Sequence, residues 1–254
     1  MENAWKTIFS CITGSLHEKM NKPCEDWTRK SEWNNNIVVS MSDGASSALC
    51  AQHGSRLTCL GARQWLGLHF EELMELTGTD LEEIIKKGLF PHIIRLIREN
   101  RHFYPYTTDE DYAATLLFFI SNGYRYIGGN LGDGLIGTRL VDGKLQVILG
   151  PENRRWKNRT WHIVTKDSDK HLRICTGTVT KGQTFFLMTD GTQDCLYDIK
   201  KKEFAPIMDI FCSWLDEPLH ERTISMALEI RMSELFPQRT IDDCALSIFK
   251  YLPL

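Results

Sequence analysis

Apolar and polar positions repeat with a period that changes along the chain. Residues 6–12 alternate loosely around Ile8, Phe9 and Ile12, which predicts a strand closed by the polar turn Thr13-Gly14-Ser15. Residues 36–41 predict a second strand, rich in β-branched side chains and stopping at Ser42-Asp43-Gly44. The spacing then lengthens. Across 52–69 and 81–100 apolar residues recur at helical intervals, as with Leu81, Ile84, Ile85 and Leu89. Pro91 is placed to interrupt or kink the second of these helices.

Strands return at 114–120, 124–128, 135–140 and 145–149, joined by short turns at Ser121-Asn122-Gly123 and Val141-Asp142-Gly143-Lys144. Residues 151–173 are polar and weakly periodic, an irregular excursion. A strand at 184–188 ends at Thr189-Asp190-Gly191, helices follow at 204–215 and 222–235, and a last strand at 244–251 begins after Asp242-Asp243. Tight hairpins argue against regular βαβ alternation. The order predicts an α+β fold of largely antiparallel sheets covered by helices.

Composition narrows the class. With 254 residues, 42% of them hydrophobic, the chain can bury one enzyme-sized core, so residues 1–254 are read as a single domain. A net charge of -3 favours neither nucleic acid nor an anionic membrane surface as partner. The most apolar run, 113–120, is too short to span a bilayer. Eight cysteines occur without a C-x-x-C pair, which disfavours zinc, and no basic-then-apolar leader opens the sequence. A reducing, cytoplasmic setting is expected.

The candidate chemistry lies in acids at strand ends. Ile37-Val-Val-Ser-Met-Ser-Asp43-Gly44 and Phe185-Phe-Leu-Met-Thr-Asp190-Gly191 share one format, an apolar strand that delivers a carboxylate. One Asp-Gly is more often only a turn. Its recurrence, with Asp133 in Leu131-Gly-Asp133-Gly134, Asp242-Asp243 before the last strand and Glu25-Asp26 before the second, points to one site. Gathered carboxylates repel unless cations sit between them, and all-oxygen ligation selects hard ions, Mg2+ or Mn2+. Two such ions can share and activate a water and clamp a phosphoryl oxygen, with no need for a protein nucleophile.

These residues, in order, resemble the metal-dependent protein phosphatases, the type-2C serine/threonine family, in a compact bacterial form. The matching motifs are Gly14-Ser15-Leu16-His17, Pro23-Cys24-Glu25-Asp26, Ser42-Asp43-Gly44-Ala45, Ala113-Ala114-Thr115-Leu116, Leu131-Gly132-Asp133-Gly134, Met188-Thr189-Asp190-Gly191 and Ile241-Asp242-Asp243-Cys244. The resemblance implies a two-layer antiparallel β-sandwich flanked by helices and hydrolysis of phosphoserine or phosphothreonine in proteins. It makes Asp43, Asp190 and Asp242 the catalytic core of a binuclear centre, with Asp43 bridging both ions and the Gly44 carbonyl binding one. Asp26 would support the centre, Glu25 and Asp243 would act through water or from behind the ligands, and Asp133 would help hold a weaker third ion. Implied partners are a phosphorylated protein substrate and a Ser/Thr kinase.

The chain also departs from that family pattern. Where many relatives carry a phosphate-gripping arginine it reads Lys19-Met20-Asn21-Lys22, so Lys19, Lys22 or His17 would have to take that part, and lysine offers a point charge rather than a planar fork. Ala45 stands where some relatives have a histidine acid. These departures keep open a non-catalytic, phosphatase-like regulator that binds a kinase or phosphoprotein; a small-metabolite phosphatase would use the same aspartates. The basic and aromatic run 154–161, within 151–173, resembles in position the family's variable flap and would recruit substrate; its bland alternative is a solvated loop.

Overall fold

Residues 116–121, Leu-Leu-Phe-Phe-Ile-Ser, are all buried, yet they divide between two cores. Leu117 and Phe119 face a central core, while Leu116, Phe118 and Ile120 face a second one under helices. Successive strand side chains point to opposite faces, so a strand buried on both faces reads as continuously apolar.

The computed structural model describes residues 4–151 and 160–252. In chain order they form β1 (Trp5–Ile12), a short α1 (Ser15–Lys19), β2 (Trp27–Trp33), β3 (Asn36–Ser42), α2 (Ala51–Leu68), α3 (Phe70–Glu75) and α4 (Gly78–Arg101). Then come β4 (Leu116–Ser121), β5 (Arg125–Leu131), β6 (Leu135–Arg139), β7 (Leu145–Leu149), β8 (Arg173–Thr178), β9 (Thr184–Met188) and α5 (Asp190–Leu196). A two-residue hairpin, β10 (Tyr197–Asp198) and β11 (Glu203–Phe204), precedes α6 (Pro206–Ser213), α7 (Glu221–Leu235) and β12 (Cys244–Tyr251).

Two five-stranded antiparallel sheets result, ordered β1-β12-β9-β6-β7 and β2-β3-β4-β5-β8. Between them lies a core of Trp5, Phe119, Phe185, Phe249 and Tyr251 with Ile37, Val39 and Met41. Phe119 meets Phe185 at 4.7 Å and Phe249 at 4.8 Å between ring centroids, tilted rather than face to face. Outside one sheet, α2, α3 and α4 bury Trp65, Leu66, Phe70, Ile85 and Ile93; outside the other, α5, α6 and α7 bury Leu196, Phe211, Leu228 and Met232. Each fully buried large apolar side chain contributes about 1.5–3 kcal/mol. The expected α+β sandwich flanked by helices is the fold observed.

Several local expectations need correction. The polar stretch before β3 contains a strand, β2, and the excursion after β7 ends in another, β8. Both lie at sheet edges, where Arg29, Gly177 and other polar residues blur the alternation. Pro91 does not end α4, which runs through it; Leu89, Phe90, Ile93 and Ile97 are buried on both sides of the proline and hold the two halves to one core. Asp190-Gly191 opens α5 instead of turning the chain away. The basic segment 152–159 lies outside the described residues, and 160–172 contain turns and one short 3-10 helix. Among the described residues no helix is long and apolar enough to cross a membrane.

Candidate metal centre

Strand register brings the acids to one end of the sandwich. In the second sheet Trp27 pairs with Ser42, so the flanking Asp26 and Asp43 stand opposite each other. Met41 pairs with Leu117 and Leu116 with Leu131, which aligns Asp43 with Thr115 and both with the 132–133 turn. In the other sheet Met188 pairs with Leu135 and Leu246, setting Asp133, Asp190 and the Asp242-Asp243 pair beyond the same strand ends. Two sheets thus supply the acids, and the Gly132–Asp133 turn crosses between them. Gly132 adopts a φ of +115°, which L side chains rarely reach, and a Cβ there would meet the Thr115 side chain at 2.7 Å.

Asp43, Asp133 and Asp190 form the group tight enough to share an ion, with one carboxylate oxygen from each within 4.8 Å of the others. Each is partly exposed. Asp43 is fixed through its backbone: its N–H donates to Thr115 Oγ1 at 3.0 Å and its carbonyl accepts from Thr115 N at 2.8 Å. Thr160 Oγ1 donates to Asp133 Oδ2 at 2.7 Å. The Gly191 N–H donates to Asp190 Oδ1 at 2.7 Å, in the first turn of α5, where a carboxylate is favoured. Gly44 is buried; its N–H donates to the Glu25 carbonyl at 3.1 Å.

Asp26 and Asp242 border this group and do not belong to it. Asp26 is 1% exposed; its Oδ2 accepts from Thr189 Oγ1 at 2.6 Å and its Oδ1 has no partner. Asp242 is exposed at the rim, with its Oδ1 receiving the Asp243 N–H at 3.0 Å. Burial, and then the charges of Asp26, Asp190, Asp133 and Asp242, push the Asp43 carboxyl well above the ordinary range. Asp190 is pushed up to about 7 by burial and by Asp133 and Asp242. Burial likewise raises Asp26, Asp242 and Glu25.

These acids would rather be neutral at their ordinary pKa, and nearly all the nearby charge that raises them is carboxylate. An orphaned buried oxygen on Asp26, three oxygens within one ion's reach and an all-carboxylate donor set fit hard divalent cations.

Asp243 does different work. It is 3% exposed; its Oδ1 accepts from Gly14 N at 2.7 Å, and its Oδ2 from Glu25 N at 2.5 Å and faces His17 Nδ1 at 2.9 Å. It therefore pins both segments that lead to Asp26. The other His17 nitrogen lies 3.6 Å from Glu25 Oε2, and Lys22 Nζ lies 3.5 Å from Glu25 Oε1. Lys19 is exposed on α1. The sequence assigns no part to Thr115, Thr160 or Thr189; Thr189 is next to Asp190 and Thr115 lies in a motif, while Thr160, 27 residues from Asp133, carries no signal.

The chain matches the sequence model described as protein phosphatase 2C over residues 13–229. No curated protein matches it significantly. Its fold is similar to the catalytic domain of the serine/threonine protein phosphatase PstP, crystallised with 2 manganese ions, at TM-score 0.65, 13% identity and 98% coverage of both chains. A serine/threonine phosphatase of S. agalactiae gives TM-score 0.61 at 14% identity, covering 98% of this chain and 99% of that one. RsbX, crystallised with magnesium, gives TM-score 0.56 at 13% identity, covering 97% of this chain and 94% of that one. With a family match spanning most of its length and an antiparallel sandwich that gathers the motif acids, the chain belongs to the protein phosphatase 2C family.

Proposed function

We propose that the chain hydrolyses phosphoserine and phosphothreonine esters of proteins with manganese or magnesium. The observation that carries this reading is the convergence of Asp43, Asp133 and Asp190 within 4.8 Å, beside the buried Asp26. Asp43 and Asp190 would hold a pair of ions together with Asp242 and the Gly44 carbonyl, and Asp133 would serve a weaker third; Asp26 supports them. Bound there, such ions lower the pKa of water and neutralise charge on the transferring phosphoryl group.

The chain's own residues keep this arrangement in place. Thr189 holds one Asp26 oxygen, Thr115 fixes the Asp43 backbone, and Asp243 anchors the loop carrying Glu25. Support also comes from the similar structures: the PstP catalytic domain with manganese, RsbX with magnesium and the S. agalactiae serine/threonine phosphatase. A phosphoprotein, made by a Ser/Thr kinase, is the substrate class these relatives suggest.

Purified protein should cleave an aryl phosphate when manganese is added and stop when it is chelated. Asp43→Asn and Asp190→Asn should each abolish turnover with the fold intact; full activity in both would overturn the assignment. Faster cleavage of phosphorylated metabolites than of phosphopeptides would move the substrate class to small molecules. One observation favours a second reading, a regulator that binds phosphoprotein without turnover: His17 and Lys22 both face Glu25, so neither is free to grip phosphate. Calorimetric manganese binding with no hydrolysis would select it.

A further inference from the structure

We infer that the seam between α2 and β2 docks an acidic segment of the phosphoprotein substrate, an inference that rests on the phosphatase reading and names the kind of substrate it would prefer. Alternation along β2 turns Trp27, Arg29 and Ser31 toward α2. Lys30 and Glu32 turn the other way, where they bond each other and Lys30 reaches Glu221. From α2 come Arg56 and Arg63, seven residues apart on one side of the helix and about 10 Å apart along its axis.

The Arg29 guanidinium lies 3.9 Å from the Trp27 ring centroid and the Arg56 guanidinium 4.2 Å. Arg63 donates to Ser31 Oγ at 2.9 Å. Among the described residues none of these three guanidiniums has a carboxylate within ion-pair distance, α2 contains no acid, and the Nε atoms of Arg56 and Arg63 are buried without a hydrogen-bond partner.

Other arginines of the molecule are neutralised by an acid. Arg95, Arg98, Arg101, Arg139 and Arg231 each face an Asp or Glu, and the whole chain carries a net charge of -3. Two guanidiniums stacked against one indole repel each other, and the stacking orients them while leaving N–H edges for an anion. Carboxylate side chains match those edges in pairs. Nucleic acid is the poorer fit, because the Trp27 ring is already covered by guanidinium and Trp33, the other ring on that face of β2, packs edge-on with Phe70, so neither offers a free platform for bases.

The seam also starts beside the acid cluster. Trp27 directly follows Asp26, and Gln52 Nε2 of α2 donates to the Cys24 carbonyl in the loop before β2 at 3.3 Å. An extended peptide advances about 3.3 Å per residue, so acidic residues within about ten positions of the phosphorylated side chain can reach it.

The test uses the full chain and two phosphothreonine peptides of one core sequence, one with an acidic tail and one with that tail in Ser and Gly. The acidic peptide should show a kcat/KM about tenfold higher, residing in KM and shrinking with salt, the size expected of a few exposed charge contacts. In Arg29→Gln/Arg56→Gln/Arg63→Gln the preference should fall to within about twofold while aryl phosphate turnover stays unchanged. Arg63→Gln alone, which leaves both Trp27 contacts in place, should lose part of it and keeps the test valid if the triple variant misfolds.

Equal kcat/KM for the two peptides in the wild-type chain, or a preference that survives substitution, would overturn the inference. So would tighter capture of a single-stranded oligonucleotide than of the acidic peptide. Fluorescence anisotropy of the acidic peptide reads the seam independently of turnover. Binding lost in the triple variant, with no hydrolysis by any chain, would overturn the catalytic reading and leave the docking surface standing.

Discussion

The Thr189 hydroxyl donates to Asp26 Oδ2 at 2.6 Å, joining the end of β9 in one sheet to the carboxylate that precedes β2 in the other. The same oxygen accepts the Ala245 N–H at 2.9 Å. One side chain therefore serves the two sheets and a carboxylate that water scarcely reaches.

Thr189→Val removes both bonds and leaves a buried carboxylate and a buried N–H unpaired, which costs about 1–3 kcal/mol for each group. Denaturant unfolding should show that loss, and manganese affinity should fall with it. Thr189→Ser restores the hydroxyl and should recover most of both. Wild-type stability in the valine variant would show that the bond contributes nothing.

The adjacent acids Asp242 and Asp243 should separate cleanly. Asp243→Ala strands the Gly14 and Glu25 N–H groups and the His17 ring, and should lower the melting temperature even in chelator. Asp242→Asn touches an exposed rim residue, so it should leave melting in chelator almost unchanged while weakening manganese binding. The reverse pattern would exchange their roles.

Proton linkage gives a third expectation. Asp190, pushed up to about 7, and the likewise raised Asp26, Asp43 and Asp242 bind protons more tightly folded than unfolded. Without metal, stability should therefore fall as pH rises from the ordinary carboxylate range toward 7. Metal displaces those protons, so its affinity should climb over the same interval. Melting in chelator should be lower at about pH 7.5 than at about pH 5.5, and the increment from manganese larger. An increment that ignores pH would contradict the linkage.

Gly191→Ala tests the close approach of α5 to the last strand. A Cβ at Gly191 would sit 2.1 Å from the Asp243 carbonyl oxygen, a backbone atom that cannot swing aside. The variant should lose metal binding and stability together, read by calorimetry and thermal melting. A fully active alanine variant would mean that α5 moves freely.

Much of this could be read in the sequence, and for identifiable reasons. β9 and β12 were placed at their observed limits because both are buried on the two faces and carry almost unbroken apolar runs. Asp43, Asp190 and Asp242 are visible because each follows or precedes such a run, whereas Asp26 and Asp133 show only through their motifs. β2 escaped because an edge strand carrying Arg29 and Lys30 has no apolar signature. Register was not legible at all: the motifs imply that Asp26 joins Asp43 in one site, but only the pairing of Trp27 with Ser42 says how the two come to stand opposite each other. The three threonines and the hub at Asp243 are likewise products of tertiary packing; threonine in a motif looks the same whether it bonds a carboxylate or solvent.

The sandwich has two unlike ends. One is filled by Trp5, Phe119, Phe185, Phe249 and Tyr251, whose cohesion needs nothing from outside. At the other, carboxylates from both sheets crowd together, so closure there depends on what the surrounding solution provides. Fluctuations should therefore be lopsided: scarcity of divalent ions loosens the acidic mouth while the aromatic end stays shut, and the molecule senses its ionic surroundings at one pole only.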